Sequence, residues 1–275
     1  MPPNKFRLDE RLVRDAYFPS LEAARSAIMA GLVYVDEGRM DKPGTLIGPG
    51  ARIRVRRKST AYVSRGGLKL EKAIRIFRLD LKGKVVLDAG ASTGGFTDCA
   101  LQHGAAIVYA VDVSYGQLAW RLRQDPRVKT LERANIRYLN PEVLTPPPDL
   151  AVIDLSFISL TTVLPNIFAL LRFQGMGVAL IKPQFEAKRE QVEAKGVVRN
   201  PEIHRTILER ITAFIESNGG KTLGLDYSPI TGPAGNIEYL VHFSVGDAHP
   251  KPGRAGPGTF DYGALVERAR EELVN

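Results

Sequence analysis

The sequence predicts an α/β protein, a doubly wound, mainly parallel seven-stranded sheet with an antiparallel last strand, preceded by a small α+β module. Three observations carry this. Short apolar runs alternate with helix-length segments from residue 84 onward. The first of those runs ends in a glycine-rich turn, "LDAGASTGG" (87–95). The excess positive charge is confined to the first third of the chain: residues 1–84 hold 19 Lys/Arg against 9 Asp/Glu, whereas residues 85–275 carry a net of −2. A compact basic module is the footprint of nucleic-acid contact, because neutralising phosphates supplies most non-specific affinity. A solvated basic face is the plainer alternative.

The 275 residues, 44% apolar and 25% charged, suit one main globular domain and a small one. A single cysteine, Cys99, leaves no disulfide framework and no cysteine-ligated metal centre, and no metal is expected. No apolar run reaches membrane-spanning length, and "MPPNKFRLDERLVRD" has no apolar signal core. The cytoplasm is the expected compartment. No pattern in the sequence signals an oligomeric state.

Helical periodicity covers residues 5–16 and 20–30. In the second segment Ser20 is the N-cap, Ala23, Ala24, Ala27 and Ile28 form the apolar stripe, and Gly31 suits a left-handed C-cap. "LVYV" and "ARIRVR" read as short strands separated by turns, which closes a module over 1–58; residues 59–67 read as a linker. The main domain, 68–246, has strands at 84–90, 106–114, 127–135, 150–157, 177–183, 221–228 and 236–245, with helices near 95–103, 115–123, 159–171 and 201–217. The last two strands lack a helix between them and can pair antiparallel through "PITGPAG" as a hairpin at one edge. The tail, 247–275, begins Pro/Gly-rich and reads as mobile before a short final helix.

"VVLDAGASTGGFTDCALQHG" (85–104) is strand, acid, glycine turn and helix. Gly90 permits a close backbone approach to a ligand, and Gly94 and Gly95 open the helix. The stretch matches neither the dinucleotide fingerprint nor the P-loop. The second strand ends in Asp112, 24 residues after Asp88, where a carboxylate can accept both hydroxyls of an adenosine ribose. This pattern resembles the S-adenosylmethionine pocket of class I methyltransferases; a glycine turn with no cofactor is the alternative. Ionisable residues then stand at strand ends: Asp154 after "AVI", Lys182 after "GVALI", and Glu238 within the seventh strand, while Lys69 begins the helix before the first strand. Charges at such positions are costly unless paired, so the four suggest one network rather than separate surface ion pairs. Two amines and two carboxylates can shift one lysine toward a neutral, proton-accepting form. Transfer of a methyl group to a ribose hydroxyl needs such a base. Lys182 is the expected base, with Asp154 and Lys69 orienting it and the hydroxyl, and Glu238 holding a lysine. Amine methylation is disfavoured because the fourth strand is followed by "DLSF", and carbon-5 methylation because Cys99 is misplaced for a nucleophile.

These motifs in this order, with "RLDERLVRD", "SLEAARSAIMAGLVYVDEG", "VSRGGLKLEKA", "VIDLSFISL", "IKPQFE" and "GNIEYL", resemble the TlyA family over residues 5–245. Its members are bacterial ribosomal RNA ribose 2′-O-methyltransferases, also described as haemolysins. The resemblance implies an αL RNA-binding module followed by an FtsJ-like, Rossmann-like domain that uses S-adenosylmethionine. It further implies a Lys69–Asp154–Lys182–Glu238 tetrad, with ribosomal RNA of one or both subunits as substrate and cytidine as the nucleoside. It places Gly90, Ser92, Gly94, Asp112, Asn135 and Asp154 at the cofactor, Asn135 facing the adenine edge. Phe157 is assigned either to the reacting groups or, more simply, to the core. Arg7, Lys42 and Arg65 are the implied phosphate contacts of the module. Leu21 stands where such modules often carry an arginine, and Arg25, one turn on, replaces it. Two rival readings are an RNA-binding assembly factor without catalysis and a membrane-active haemolysin. The second lacks both a spanning segment and a basic amphipathic helix of the interfacial kind. Pseudouridine synthases share the module type but need no cofactor turn.

Overall fold

The computed structural model describes residues 5–18, 20–29, 31–55, 61–172, 174–246 and 260–274. They fall into two compact units, dividing at Thr60/Ala61.

In the first unit, β1 (Phe6–Arg7) leads into α1 (Leu8–Arg14), then come α2 (Leu21–Met29), β2 (Val33–Val35), β3 (Gly38–Met40), β4 (Leu46–Ile47) and β5 (Ile53–Val55). The helix expected from residue 5 starts at Leu8, because Phe6 and Arg7 pair antiparallel with Ile47 and Leu46. β2 is the centre of a three-stranded antiparallel sheet with β3 and β5. Leu8 and Leu12 of α1 and Ala24, Ala27 and Ile28 of α2 close on Val33, Val35 and Ile47 to form the core. Ser20 Oγ accepts the Ala23 N–H at 3.2 Å, and Gly31 takes φ +66, so the N-cap and C-terminal turn of α2 form as expected.

The second unit opens with α3 (Gly66–Phe77) and continues through β6 (Val85–Ala89), α4 (Gly95–Gln102), β7 (Ile107–Asp112), α5 (Trp120–Arg123), β8 (Val128–Glu132), β9 (Leu150–Ile153), α6 (Leu160–Leu170), β10 (Met176–Ile181), α7 (Pro183–Glu186), α8 (Pro201–Ser217), β11 (Gly220–Tyr227), β12 (Tyr239–Val245) and α9 (Tyr262–Leu273). The strand order is β11-β12-β10-β9-β6-β7-β8. β12 runs antiparallel to both β10 and β11, and the other pairings are parallel. The terminal hairpin is therefore inserted with its second strand inward and β11 on the edge. Alternate residues feed opposite apolar layers. Leu87, Ala89, Ala151 and Ile153 face the side of α6, α8 and α9, and Val86, Val108, Val152 and Val178 face the side of α3 and α4. Each fully buried aliphatic side chain is worth about 1.5–3 kcal/mol. Burial on both faces is why these strands read as unbroken apolar runs.

Three expectations change. Residues 59 and 60 of the expected linker lie outside the described residues, but 61–67 belong to the second unit. Tyr62 is buried with its hydroxyl donating to Glu71 at 2.9 Å, and the Val63 N–H donates to Asp98 at 2.7 Å. The helix expected at 115–123 shrinks to Trp120–Arg123, because the Ser114 and Gly116 N–H groups donate to the carboxylates of Asp112 and Glu132 instead of to a helical turn. The third parallel strand ends at Glu132, where Arg133 turns to φ +53. Residues 247–259 of the tail lie outside the described residues. The final helix, α9, buries Leu265, Val266 and Ala269 in the same layer as α8.

Asp9 ties the first unit together. Its carboxylate is fully buried and accepts from Arg7 (2.8 Å) and Arg25 (2.9 Å), one residue from each side of the α1–α2 pair. The Arg7 guanidinium, against the cost of burial and with help from Arg25, holds the carboxyl at about 2, below its usual 3.8. A depressed folded-state value means stability that is present above the unfolded value and lost as pH falls. Acid titration of the full chain, followed by the amide resonances of this unit, should show it loosening between about pH 4 and pH 2. Asp9→Asn should weaken the unit at neutral pH and remove that dependence.

Candidate active site

The chain leaves β6 for β7 and β8 on one side and returns to β9 on the other, which opens a crevice at the carboxyl ends of β6 and β9. Open α/β sheets bind ligands at such switch points. Gly90 sits in that crevice at φ +92, its N–H bonded to Val111 O. A Cβ there would lie 2.5 Å from the Asp154 carbonyl oxygen, so only glycine lets the turn pass the end of β9. The Asp154 N–H donates to Ala89 O at 3.0 Å and locks the two strand ends together.

Two cavities meet here. One, of about 320 Å³, runs from Gly90 and Ser92 past Asp112 to the apolar surfaces of Val111, Ala134 and Ile136. The second, of about 280 Å³, lies between Arg65 and Lys69 of the α3 region, Lys182, and Glu238. Gly90, Ser92, Asp154 and Ser156 line both. The first suits a nucleoside-bearing ligand: apolar walls for a base, a glycine turn without a Cβ, and a carboxylate for sugar hydroxyls. Both Asp112 oxygens accept backbone N–H groups, from Ser92 and Ser114 at 2.8 Å each, which fixes the carboxylate and leaves each oxygen a further lone pair. The wall at Ile136 is steadied by Asn166 of α6, whose amide donates to Ile136 O and Leu139 O.

In the second cavity the four predicted ionisable residues form one chain. Glu238 meets Lys69 at 2.6 Å, Lys69 meets Asp154 at 3.4 Å, and Asp154 meets Lys182 at 2.7 Å. Their side chains are only 2–19% exposed. Lys182 Nζ also donates to Ser156 Oγ at 3.0 Å. Local structure aims each member. Lys69 shares the buried face of α3 with Leu70 and Ala73. Lys182 follows β10 directly, and Pro183 stops the strand and starts α7. Glu238 lies just before β12 rather than within it, in a segment clamped by Asn236, whose side chain bonds Gly196 O and the Val198 N–H. Glu186, the last residue of "IKPQFE", caps α6 by accepting from Leu160 N and Ser159 Oγ at 2.7 Å each. It is raised above its usual value by burial.

Other predicted residues are placed differently. Gly94, at φ +96, lies against Leu118 and Leu122 and starts α4 rather than lining the first cavity. Asn135 does not face that cavity with its oxygen. Oδ1 accepts from Arg137 N and Nε and caps the following turn, while its neighbours Ala134 and Ile136 form the wall. Phe157 is not core: it is 90% exposed at φ +63, at the edge of the first cavity, its ring 5.0 Å from that of Phe185. Arg65 belongs to the second unit, at the second cavity, and not to the basic module. Arg7 and Arg25 are held by Asp9 but remain about half exposed, and Lys42 is exposed at a turn closed by Thr45. Among the described residues no group of three or more His, Cys, Asp or Glu can hold a metal ion.

Sequence reasoning passed over Ser156 and gave Asp88, the acid of the glycine-turn motif, no role. Ser156 lies two residues beyond Asp154, a spacing that returns a side chain to the same side of an extended segment. Asp88 is fully buried on β6, its Oδ2 accepting from Thr97 Oγ1 at 2.6 Å and its Oδ1 without a hydrogen-bond partner.

A mostly parallel seven-stranded sheet with one reversed strand, a glycine turn at its switch point and an acid closing the second parallel strand define the methyltransferase class of α/β folds. Residues 62–245 match the family model of the FtsJ-like methyltransferases, and the chain belongs to that family, with S-adenosylmethionine as its methyl donor. It is 44% identical over 236 residues to the 16S/23S rRNA (cytidine-2′-O)-methyltransferase TlyA of Mycobacterium tuberculosis (strain ATCC 25618 / H37Rv), covering 86% of this chain and 88% of that protein. It is 42% identical over 240 residues to hemolysin A of Brachyspira hyodysenteriae, covering 87% of this chain and 100% of that protein. A solved structure from Streptococcus thermophilus, named as a candidate hemolysin, superimposes with a TM-score of 0.76 at 44% identity, covering 98% of this chain and 97% of that one.

Burial lifts the Asp88 carboxyl to about 7; the Thr97 hydrogen bond opposes the shift, and Asp154 and Asp112 add to it. A folded-state value raised above the unfolded 3.8 means stability that is full below about pH 4 and is lost as pH rises through about 7. Thermal unfolding of the protein without added donor should therefore show a melting temperature that declines from pH 5 to pH 8. Asp88→Asn should flatten that decline; an unchanged slope would assign it to other groups.

Proposed function

We propose that the protein transfers the methyl group of S-adenosylmethionine to a ribose 2′ oxygen of ribosomal RNA, with a cytidine as the acceptor nucleoside and one or both ribosomal subunits as substrate. The observation that carries this reading is the buried Glu238–Lys69–Asp154–Lys182 chain, opening on a cavity that meets the donor cavity at Gly90, Asp154 and Ser156. The donor, when bound, supplies an electrophilic methyl carbon on a sulfonium sulfur. An alcohol is a weak nucleophile until its proton leaves, and Lys182, in the second cavity and bonded to Asp154 and Ser156 of the shared lining, can take it as a neutral amine. Asp154 holds the Lys182 nitrogen, Lys69 balances Asp154, and Glu238 balances Lys69. With both amines protonated the four side chains sum to zero, so a buried set of this size is tolerable.

The acceptor side is supported by Arg65 at the second cavity and by exposed Phe157, an aromatic face on which a base can stack. The first unit adds basic residues with exposed faces, Arg7, Arg25 and Lys42, as phosphate contacts. A ribosomal substrate supports a cytoplasmic location. Among the described residues no helix is long and apolar enough to cross a membrane.

Incubation of ribosomal subunits with isotope-labelled donor should place the label on a ribose 2′ oxygen, located by nucleoside mass spectrometry. Label on a base would remove the acceptor assignment. Lys182→Ala should lower turnover by roughly 10²-fold or more, the scale of a lost general base, with donor affinity within a few-fold. Retained turnover would put the base elsewhere.

A further inference from the structure

The Lys182 nitrogen has two oxygen neighbours with different functions. Asp154 Oδ1 at 2.7 Å is its charged partner. Ser156 Oγ at 3.0 Å is neutral and accepts from the same nitrogen. Ser156 lines both cavities, as Asp154 does, so both acceptors stand where donor and acceptor must meet. A neutral amine has two N–H bonds and one lone pair arranged about a tetrahedral nitrogen, the remaining position being the side-chain carbon. When one N–H is given to Asp154 and the other to Ser156, the lone pair has a single direction left. With Asp154 alone, the second N–H and the lone pair can exchange places by rotation about the terminal carbon–nitrogen bond.

We infer that Ser156 is a positioning residue, whose hydroxyl fixes the direction in which Lys182 presents its lone pair to the acceptor hydroxyl. The inference rests on Lys182 being the base of the reaction proposed above. In the step it serves, the proton of the acceptor hydroxyl passes to Nζ, converting NH₂ to NH₃⁺. The oxygen's electron pair forms the new O–C bond to the methyl carbon, and the electron pair of the broken S–C bond stays on sulfur. The resulting ammonium gives three N–H bonds to three oxygens: Asp154, Ser156 and the methylated product. Ser156 therefore holds the nitrogen both before and after the proton moves.

The test compares Ser156→Ala, Ser156→Thr and Lys182→Ala in the full chain. The readouts are donor affinity by calorimetry, and kcat and KM for ribosomal subunits. Ser156→Ala should lower kcat about tenfold or more, the effect of misaligning a base that stays present, while KM and donor Kd stay within about threefold. Ser156→Thr, which keeps a hydroxyl on the same carbon, should recover most of the loss. Unchanged kcat in Ser156→Ala overturns the inference, as does a loss that threonine fails to relieve. A fall in donor affinity equal to the fall in kcat also overturns it, because it would assign Ser156 to the donor cavity. Lys182→Ala separates the two levels. If that variant is inactive while Ser156→Ala is fully active, only the positioning inference fails; if Lys182→Ala retains turnover, the reading beneath it fails.

Discussion

The passage of the Gly90 turn against the end of β9 is the constraint on which the site depends. A single side-chain carbon at residue 90 would collide with the Asp154 carbonyl. With none, the turn and the strand end lie in contact, and both line the two cavities. Asp154 is thereby placed twice by position alone: it lines the first cavity, and its carboxylate joins the two lysines of the second. A methyl carbon and an oxygen can react only when both are held at near-contact distance, and a floor shared by two cavities is compatible with that requirement.

The charges gathered there are a cost that the surrounding fold has to offset. Removing one partner from a buried ion pair typically costs 3–5 kcal/mol, because the other is left uncompensated. The chain Glu238–Lys69–Asp154–Lys182 avoids this by alternating sign, and each member is delivered by a different element: the approach to β12, α3, the end of β9 and the end of β10. Neutral groups hold the delivery segments. Asn236 clamps the Glu238 segment to the loop at 196–198, and Tyr239 beside it bonds buried His204 of α8 at 2.7 Å. Burial lowers His204 below its usual value, consistent with a neutral ring serving as a structural hydrogen-bonding group. Glu186 performs the same service for α6, which in turn steadies the wall at Ile136. The first unit uses one buried carboxylate, Asp9, to orient two arginines while leaving part of each guanidinium to solvent. The two guanidinium groups are thus fixed in place, with part of their charge already neutralised.

Much of the fold was legible because two-sided burial leaves a strong trace: β9, β10 and all of β6 but Asp88 are apolar, and no solvent-facing alternation obscures them. The terminal hairpin was legible from the missing helix, though not which of its strands lies inward. Errors concentrated where local donors found side-chain partners. Ser114 and Gly116 give their N–H groups to Asp112 and Glu132, so a helix-like stretch does not become a helix. Tyr62 turns an apparent linker into part of the second unit by being buried. Such bonds depend on individual side chains two to sixteen residues away, and periodicity does not register them.

What the sequence determined by itself was the chemistry available at each strand end: a lysine after one apolar run, an aspartate after another, a glycine where a turn must pass close. Strand ends are set by local pattern, and a parallel sheet brings its carboxyl ends to one edge. The tertiary structure alone decided which groups touch. It set the order Glu238–Lys69–Asp154–Lys182, put Ser156 on the lysine nitrogen, turned Asn135 into a cap and Phe157 out to solvent, and moved Arg65 to the cavity. The physical reason is range. Propensity and burial act along a few residues of chain, whereas a hydrogen bond or ion pair depends on ångström distances between segments that only packing brings together.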